Sequence, residues 1–385
     1  MEKRKVCVVI TARASYSRIK SALTAIQKHA GLELMLVVTS SALLERYGSA
    51  FEVMEKDGFK IDAKVYNVVE TEGLAGQAKT TGLGIIELSN IFNNEKPDLV
   101  VTVADRYETM STAIAAAYMN IPLAHIQGGE VTGNIDEKVR HAVTKLADLH
   151  LVSSENAQER IVKMGEDPAS VFVTGCPSID LAVPVSEQQE LEFDPYEKYG
   201  GVGGKPDFAN GYLVVMQHPV TEEYELARKQ VEETLEAIAQ VQMPTFWFWP
   251  NVDGGSDGTS RGIRSFRERR DVQNIHFFKN MEPQDFLAFL KSSHCLVGNS
   301  SVGIRECAFL GVPVINIGTR QLGREHGPNV ISVDYTEQAI AQGITQQVEH
   351  GHYPEDILYG VGNSGQQIAD VLAKAPLNYS KKMTY

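Results

Sequence analysis

The feature that most constrains this chain is an alternation. Short apolar runs of three to six residues take turns with helix-length amphipathic stretches along nearly all of it. In the first half the apolar runs fall at 6–10, 34–39, 64–67, 99–103, 123–126 and 149–152, with helical patterns near 16–29, 43–57, 74–94, 107–118, 137–147 and 154–164. In the second half the runs fall at 212–216, 245–249, 276–278, 295–297, 314–317 and 330–333, with helical patterns near 222–241, 283–291, 301–310 and 336–349. Strands that are apolar throughout, separated by helices, predict parallel sheets covered on both faces. The expected fold class is therefore α/β, with two Rossmann-like, doubly wound domains. The 385 residues suffice for two domains of ordinary size.

The expected division is 1–182, 183–363, and a segment 364–385 whose helix near 364–374 packs back on the first domain. From about 183 to 211 periodicity is lost, and glycine and proline are dense in Gly200-Gly201-Val202-Gly203-Gly204-Lys205-Pro206. This stretch reads as an exposed, mobile linker without chemistry of its own. Two such domains leave an interdomain cleft lined by strand C-termini, where open α/β sheets bind their ligands.

Charge narrows the ligand. The formal net charge of −13 disfavours nucleic acid and anionic membranes as partners. An anionic small molecule remains possible only where local donors meet its charge, so arginines and helix starts at strand ends are the places to search. No apolar run approaches the roughly 18 residues of a membrane span. The basic start followed by 6–10 is too short for an export signal, and Arg13 comes soon after it, so the expected location is cytoplasmic. Cys7, Cys176, Cys295 and Cys307 form no C-x-x-C pair and read as reduced structural thiols.

Polar motifs cluster at the expected strand ends. In Gly298-Asn299-Ser300-Ser301-Val302-Gly303-Ile304-Arg305-Glu306 a strand breaks and hydroxyl residues open a helix that stops at Gly311. Free N–H groups at such a start attract anions, although a simple serine cap would look the same. Glu306, about one and a half turns on, suits ribose hydroxyls. Arg320, in Gly318-Thr319-Arg320-Gln321, can clamp a phosphate or sit on the surface. Arg13 and Arg18 open the first helix where a dinucleotide fold would carry G-x-G-x-x-G; that pattern is absent, which argues against a nicotinamide cofactor.

Asp105-Arg106 reads either as a structural ion pair or as a base beside a ligand clamp. His125-Ile126-Gln127-Gly128-Gly129-Glu130 offers Glu130 as an acid or base on a glycine turn. Asp136, Glu137 and Arg140 follow on a helix start, where acidic residues are favoured by the dipole alone. His218, in Gln217-His218-Pro219, can donate to a phosphate or be structural. The stretch from Trp249 to Gly258 lacks the glycine and glutamate of a calcium loop and reads as a polar substrate loop. No spacing suggests zinc.

Taken in order, these motifs resemble the UDP-N-acetylglucosamine 2-epimerase family, in particular its hydrolysing branch. The resemblance runs from Arg13 to Asn363 through Arg13 with Ser17, Asp105-Arg106, Gly128-Gly129-Glu130, His141, Gln217-His218-Pro219, Pro250-Asn251, Gly298-Asn299-Ser300-Ser301 and Gly318-Thr319-Arg320-Gln321. It implies a GT-B-like fold. It implies a diphosphate held by Ser300, Ser301, Arg320 and His218, ribose by Glu306, and the nucleotide by Asn251, Met281 and the Gly303 segment. Arg13, Ser17 and Arg106 would close the site from the first domain. Asp105 and Glu130 would carry proton transfers for UDP elimination and glycal hydration, with no metal or redox cofactor, in a homodimer or homotetramer. Close relatives often carry glutamate where this chain has Gln127. Glutamine accepts no proton, so either that position is not the essential base, or Asp105 or Glu130 takes the role, or the substrate differs. Three variants fit the resemblance: a hydrolysing enzyme on UDP-N-acetylglucosamine, one on a diacetamido sugar nucleotide of legionaminic acid synthesis, and a non-hydrolysing epimerase. A GT-B glycosyltransferase and a silent sugar-nucleotide-binding module are the competing classes.

Overall fold

The computed structural model describes residues 3–45, 49–69, 75–132, 135–250, 255–270, 273–377 and 381–384. The chain divides into two compact units: Met1–Glu130 with Asp136–Asp180 and Gly360–Tyr385, and Val131–Ile135 with Leu181–Tyr359.

Unit 1 follows the sequence β1 (Arg4–Ile10), α1 (Arg13–Lys28), β2 (Leu32–Thr39), α2 (Ala50–Lys56), β3 (Ala63–Val65), α3 (Ala75–Glu95), β4 (Leu99–Val103), α4 (Thr109–Tyr118), β5 (Leu123–Ile126), α5 (Ile135–Leu146), β6 (Leu149–Val152), α6 (Glu155–Lys163) and β7 (Val171–Val173). Helix α7 (Pro177–Ser186) carries the chain across the unit boundary. The strands pair in the order β3-β2-β1-β4-β5-β6-β7, all parallel. Strand β4 is buried at every residue, as a strand covered on both faces must be.

In unit 2, α8 (Pro195–Tyr199) and β8 (Val202–Gly203) precede β9 (Leu213–Met216), α9 (Ala227–Val241), β10 (Thr245–Phe248), α10 (Ser256–Arg269), β11 (Ile275–Phe278), α11 (Pro283–Lys291), β12 (Cys295–Gly298), α12 (Glu306–Leu310), β13 (Val314–Ile317), β14 (Val330–Val333) and α13 (Glu337–His350). The order is β14-β13-β12-β9-β10-β11-β8, parallel except for β8.

The chain then returns to unit 1 as α14 (Ser364–Lys374). Ile368, Ala369 and Leu372 join Ile19, Ala22, Leu23 and Ile26 of α1 in one apolar cluster. Both ends of α14 are tied. Asp180 accepts the N–H groups of Ser364 and Gly365 at 2.9 and 2.7 Å, and Arg4 donates to the carbonyls of Leu372 and, at 3.0 Å, Ala375. Further on, Lys381 donates to the carbonyls of Thr144, at 3.1 Å, and Ala147, where α5 ends. Its ammonium also meets buried Glu166 at 2.7 Å, which takes Lys145 at 2.5 Å and His150 Nε2 at 3.2 Å as well. Burial alone would raise the Glu166 pKa, but the bonds from His150, Lys145 and Lys381 outweigh it and hold the carboxyl at about 2.

Several sequence expectations need correction. The helix expected over 43–57 is a 3-10 turn, Ser40–Leu43, followed by the short α2. That over 222–241 is a 3-10 turn, Thr221–Leu226, leading into α9. The supposed mobile linker is ordered: α8 and β8 fill its centre, and β8 pairs antiparallel with β11. His276 pins it, with Nδ1 at 2.6 Å from the Gly204 carbonyl and Nε2 at 2.8 Å from that of Gly200. A Cβ at Gly201 would come within 2.3 Å of Nε2, so the glycines there make room for the ring. The cysteines are free and buried. Among the described residues no helix is long and apolar enough to cross a membrane.

Candidate active site

The C-terminal edge of the unit 1 sheet is built from turns in which non-glycine residues take left-handed backbone. Ser40 after β2, Ala104 after β4 and Gln127 after β5 have φ of 54, 62 and 64°. Non-glycine residues avoid this left-handed region unless their surroundings over-determine it. Here the N–H groups of Ala104 and Gln127 each continue the ladder one residue further, to Ile126 O and Leu151 O at 2.9 Å.

Asp105 follows directly. It is 8% exposed and is held by Arg140 of α5, itself 1% exposed. Arg106 reaches instead to buried Glu108, at 3.2 and 3.4 Å. Of the two readings of Asp105-Arg106, the ion pair between them is corrected: the described partners are Arg140 for Asp105 and Glu108 for Arg106. A short helix-edge turn aims adjacent side chains apart, whereas α5 brings Arg140 over the end of β4.

On the next strand end, Gln127 is fully buried and donates through Nε2 to Cys176 Sγ at 3.0 Å. Among the described residues its Oε1 has no hydrogen-bond partner. Glu130 is buried at 3% exposure. Gly129, with φ 75°, lies so close to α6 that a Cβ would come within 2.4 Å of the Ala157 carbonyl. Arg13 begins α1 and Ser17 lies one turn further, both half-buried. His141 Nε2 lies 3.2 Å from Glu137 Oε1 on α5.

In unit 2 the ordering residue is Asn299, which sequence reasoning passed over within its motif. Its Oδ1 accepts the His218 N–H at 2.8 Å and its Nδ2 donates to the His218 carbonyl at 2.8 Å. This reciprocal pair locks the ends of β9 and β12 together. The Asn299 carbonyl in turn accepts from Arg320 at 3.1 Å and Gln321 at 2.9 Å, so Arg320, His218 and the Ser300 turn converge. Gly298, with φ 142°, permits this, because a Cβ would come within 2.1 Å of Met216 O.

The helix expected to open at Ser300 is absent there. Residues 301–305 form turns, bonding Gly303 N–H to Ser300 O and Ile304 N–H to Ser301 O at 3.1 Å, and regular helix begins only at Glu306. Glu306 therefore starts α12 instead of lying within a longer helix. Ser300 Oγ makes a loose 3.4 Å contact with the Val302 N–H. Gly303 is buried, where a Cβ would meet Val314 Cγ1 at 2.9 Å, and Met281 is buried after β11. Asn251 lies outside the described residues. The polar loop expected over 249–258 gives way to α10 from Ser256.

Comparison with known proteins decides the family. The sequence profile described as UDP-N-acetylglucosamine 2-epimerase matches residues 24–373. The chain belongs to the UDP-N-acetylglucosamine 2-epimerase family. It is 30% identical over 375 residues to a UDP-N,N'-diacetylbacillosamine 2-epimerase (hydrolyzing) of Legionella pneumophila, covering 97% of each chain. It is 29% identical over 378 residues to a UDP-N-acetylglucosamine 2-epimerase of Neisseria meningitidis, covering 96% of this chain and 95% of that one. The crystal structure of UDP-GlcNAc 2-epimerase from Neisseria meningitidis bound to UDP-GlcNAc superposes with a TM-score of 0.79 at 20% identity, over 96% of this chain and 100% of that one. The epimerase family thus shares its GT-B-like architecture of two α/β domains with this chain.

Proposed function

We propose that the chain is a hydrolysing UDP-sugar 2-epimerase that converts UDP-N-acetylglucosamine to N-acetylmannosamine and UDP. Two buried carboxylates, Asp105 and Glu130, follow the ends of adjacent strands β4 and β5, and this is the observation that carries the reading. One takes the proton from C2 of the sugar as the C1–O bond to UDP breaks, leaving a glycal. Water then adds its oxygen to C1, and a proton returns to C2 from the opposite face. In unit 2, Ser300, Ser301, Arg320 and His218 would hold the diphosphate and offset the charge growing on the leaving group. Glu306, Asn251, Met281 and Gly303 would serve the nucleoside, with Arg13, Ser17 and Arg106 as further contacts. Gln127 accepts no proton; its Oε1, which has no hydrogen-bond partner among the described residues, suits orientation rather than proton transfer.

A second substrate has a specific observation in its favour: the hydrolysing relative from Legionella pneumophila, matched over 97% of both chains, acts by name on a diacetamido sugar nucleotide. Either product would feed synthesis of sialic-acid-like sugars. We place the enzyme in the cytoplasm as a homodimer or homotetramer.

The test is proton NMR in deuterated water with each UDP-sugar. Release of UDP with a free 2-epimeric sugar deuterated at C2 supports the reading. A 2-epimer still bound to UDP replaces it with non-hydrolysing epimerisation, and inertness towards both substrates overturns it. Turnover by D105N and E130Q at the unmutated rate overturns the acid–base assignment alone.

A further inference from the structure

Two polar groups hold a side chain that the proposed chemistry does not use. His125 is fully buried in β5. Its Nε2 lies 2.8 Å from the Ala104 carbonyl and its Nδ1 lies 3.1 Å from Thr144 Oγ1. A carbonyl only accepts, so Nε2 must carry the proton; a hydroxyl can donate, so Nδ1 is free to receive Thr144. We propose that His125, as the Nε2-protonated imidazole, is a positioning residue that sets the Asp105 carboxylate through the Ala104 carbonyl.

The geometry forms a closed circuit. Ala104 has both its polar groups tied to β5, its N–H to Ile126 O and its carbonyl to His125. Those two bonds hold its left-handed φ of 62°, and that turn sets the direction in which Asp105 leaves the strand. Asp105 pairs with Arg140, and Thr144 lies four residues after Arg140, on the same face of α5. One imidazole therefore joins the end of β4 to the helix that carries the partner of Asp105.

Gly128 bears this out independently. A Cβ there would come within 2.9 Å of both His125 Nδ1 and Thr144 Oγ1, so glycine at this position leaves room for their bond. Burial also keeps the ring neutral. It pushes the pKa down to about 4, against the opposing pull of the Ala104 bond and of Glu130, with His150 and His141 adding to the burial effect.

This inference rests on Asp105 acting in proton transfer, and the test separates the two. The side-chain amide of H125Q restores an N–H near the Nε2 position, whereas H125L restores none. H125L is expected to lower kcat about 100-fold with KM within about twofold, the scale of a misplaced reacting group. H125Q should recover to within about fivefold of the unmutated enzyme. In a D105N background H125L should cost nothing further, because the two act in series. Nitrogen NMR of the unmutated ring at neutral pH should show the Nε2-protonated tautomer, a readout that needs no variant to fold. T144V, which removes the donor to Nδ1, should lower kcat about tenfold.

Equal losses in H125L and H125Q, an Nδ1-protonated ring, or an additive loss in the D105N background would each overturn the proposal. If D105N itself turns over normally, the acid–base reading fails first. If D105N is dead while H125L is fully active, the positioning role alone fails.

Discussion

Glu166→Gln is the sharpest test of how unit 1 is held together. The carboxylate takes three donors, from α5, from β6 and from the segment after α14. Its pKa is about 2 in the fold against 4.5 ordinarily, so it contributes about 3 kcal/mol at neutral pH. Because the folded value is the lower one, that contribution is complete above about pH 4.5 and is lost as pH falls towards 2. Lys145 and Lys381 are partly exposed, at 38% and 26%, and can turn to water when the carboxylate is removed. The loss should therefore stay near the bottom of the range for breaking a buried pair, roughly 3–5 kcal/mol. For a unit of this size that is about 6–12 °C in melting temperature. Native-state hydrogen exchange on peptides from α5 and α6 reads the effect locally, which matters in a chain with two cores. The gap between the unmutated protein and E166Q should be about 3 kcal/mol at pH 7 and less than half that by about pH 3. A gap that is the same at both pH values, or one below about 1 kcal/mol at pH 7, would refute the reasoning.

Other perturbations follow from the same contacts. Arg140→Met leaves the Asp105 carboxylate buried without its partner; turnover should be lost and unit 1 weakened by about 3 kcal/mol, as thermal melts and steady-state rates would show. Asn299→Ala removes both bonds to the His218 backbone and should raise the dissociation constant for UDP about tenfold by calorimetry; unchanged affinity would detach the Ser300 turn from nucleotide binding. His276→Leu removes the ring that sits between the Gly200 and Gly204 carbonyls, with the one hydrogen bond its neutral form can donate there, so amide exchange over 200–205 should accelerate at least tenfold while β9 and β10 stay protected.

The strands most legible in the sequence were those buried on both faces. β4, β5, β6 and β13 stand where their apolar runs stand, because nothing but a covered strand tolerates such a run. Helix α11 begins at Pro283, which fixes its own start. Helix α10 was illegible for the opposite reason. Its core face is one glycine, Gly262, with Thr259, Ile263 and Phe266, and Gly262 packs so near α9 that a Cβ would meet Val231 at 2.5 Å. Close helix packing by glycine looks, in sequence, like a loop. β8 is held by backbone pairing and His276 rather than by apolar side chains of its own, so it left no run to find.

The candidate site divides in the same way. Which residues gather at strand ends could be read from where the runs stop. How they are held could not. Arg140 lies 35 positions from Asp105, and the left-handed turn at Ala104 carries no glycine to mark it. Such pairings are properties of the closed circuit of contacts, which no local window contains.

The return of α14 to unit 1 has a consequence for biosynthesis. The apolar face of α1 formed by Ile19, Leu23 and Ile26 is covered by residues that leave the ribosome only after Leu181–Tyr359 has been made. At about 5–20 residues per second, that face waits on the order of ten seconds or more without its cover. Chaperone demand during synthesis should therefore concentrate on the part of the chain made first, and the unit translated second is the first able to close its core.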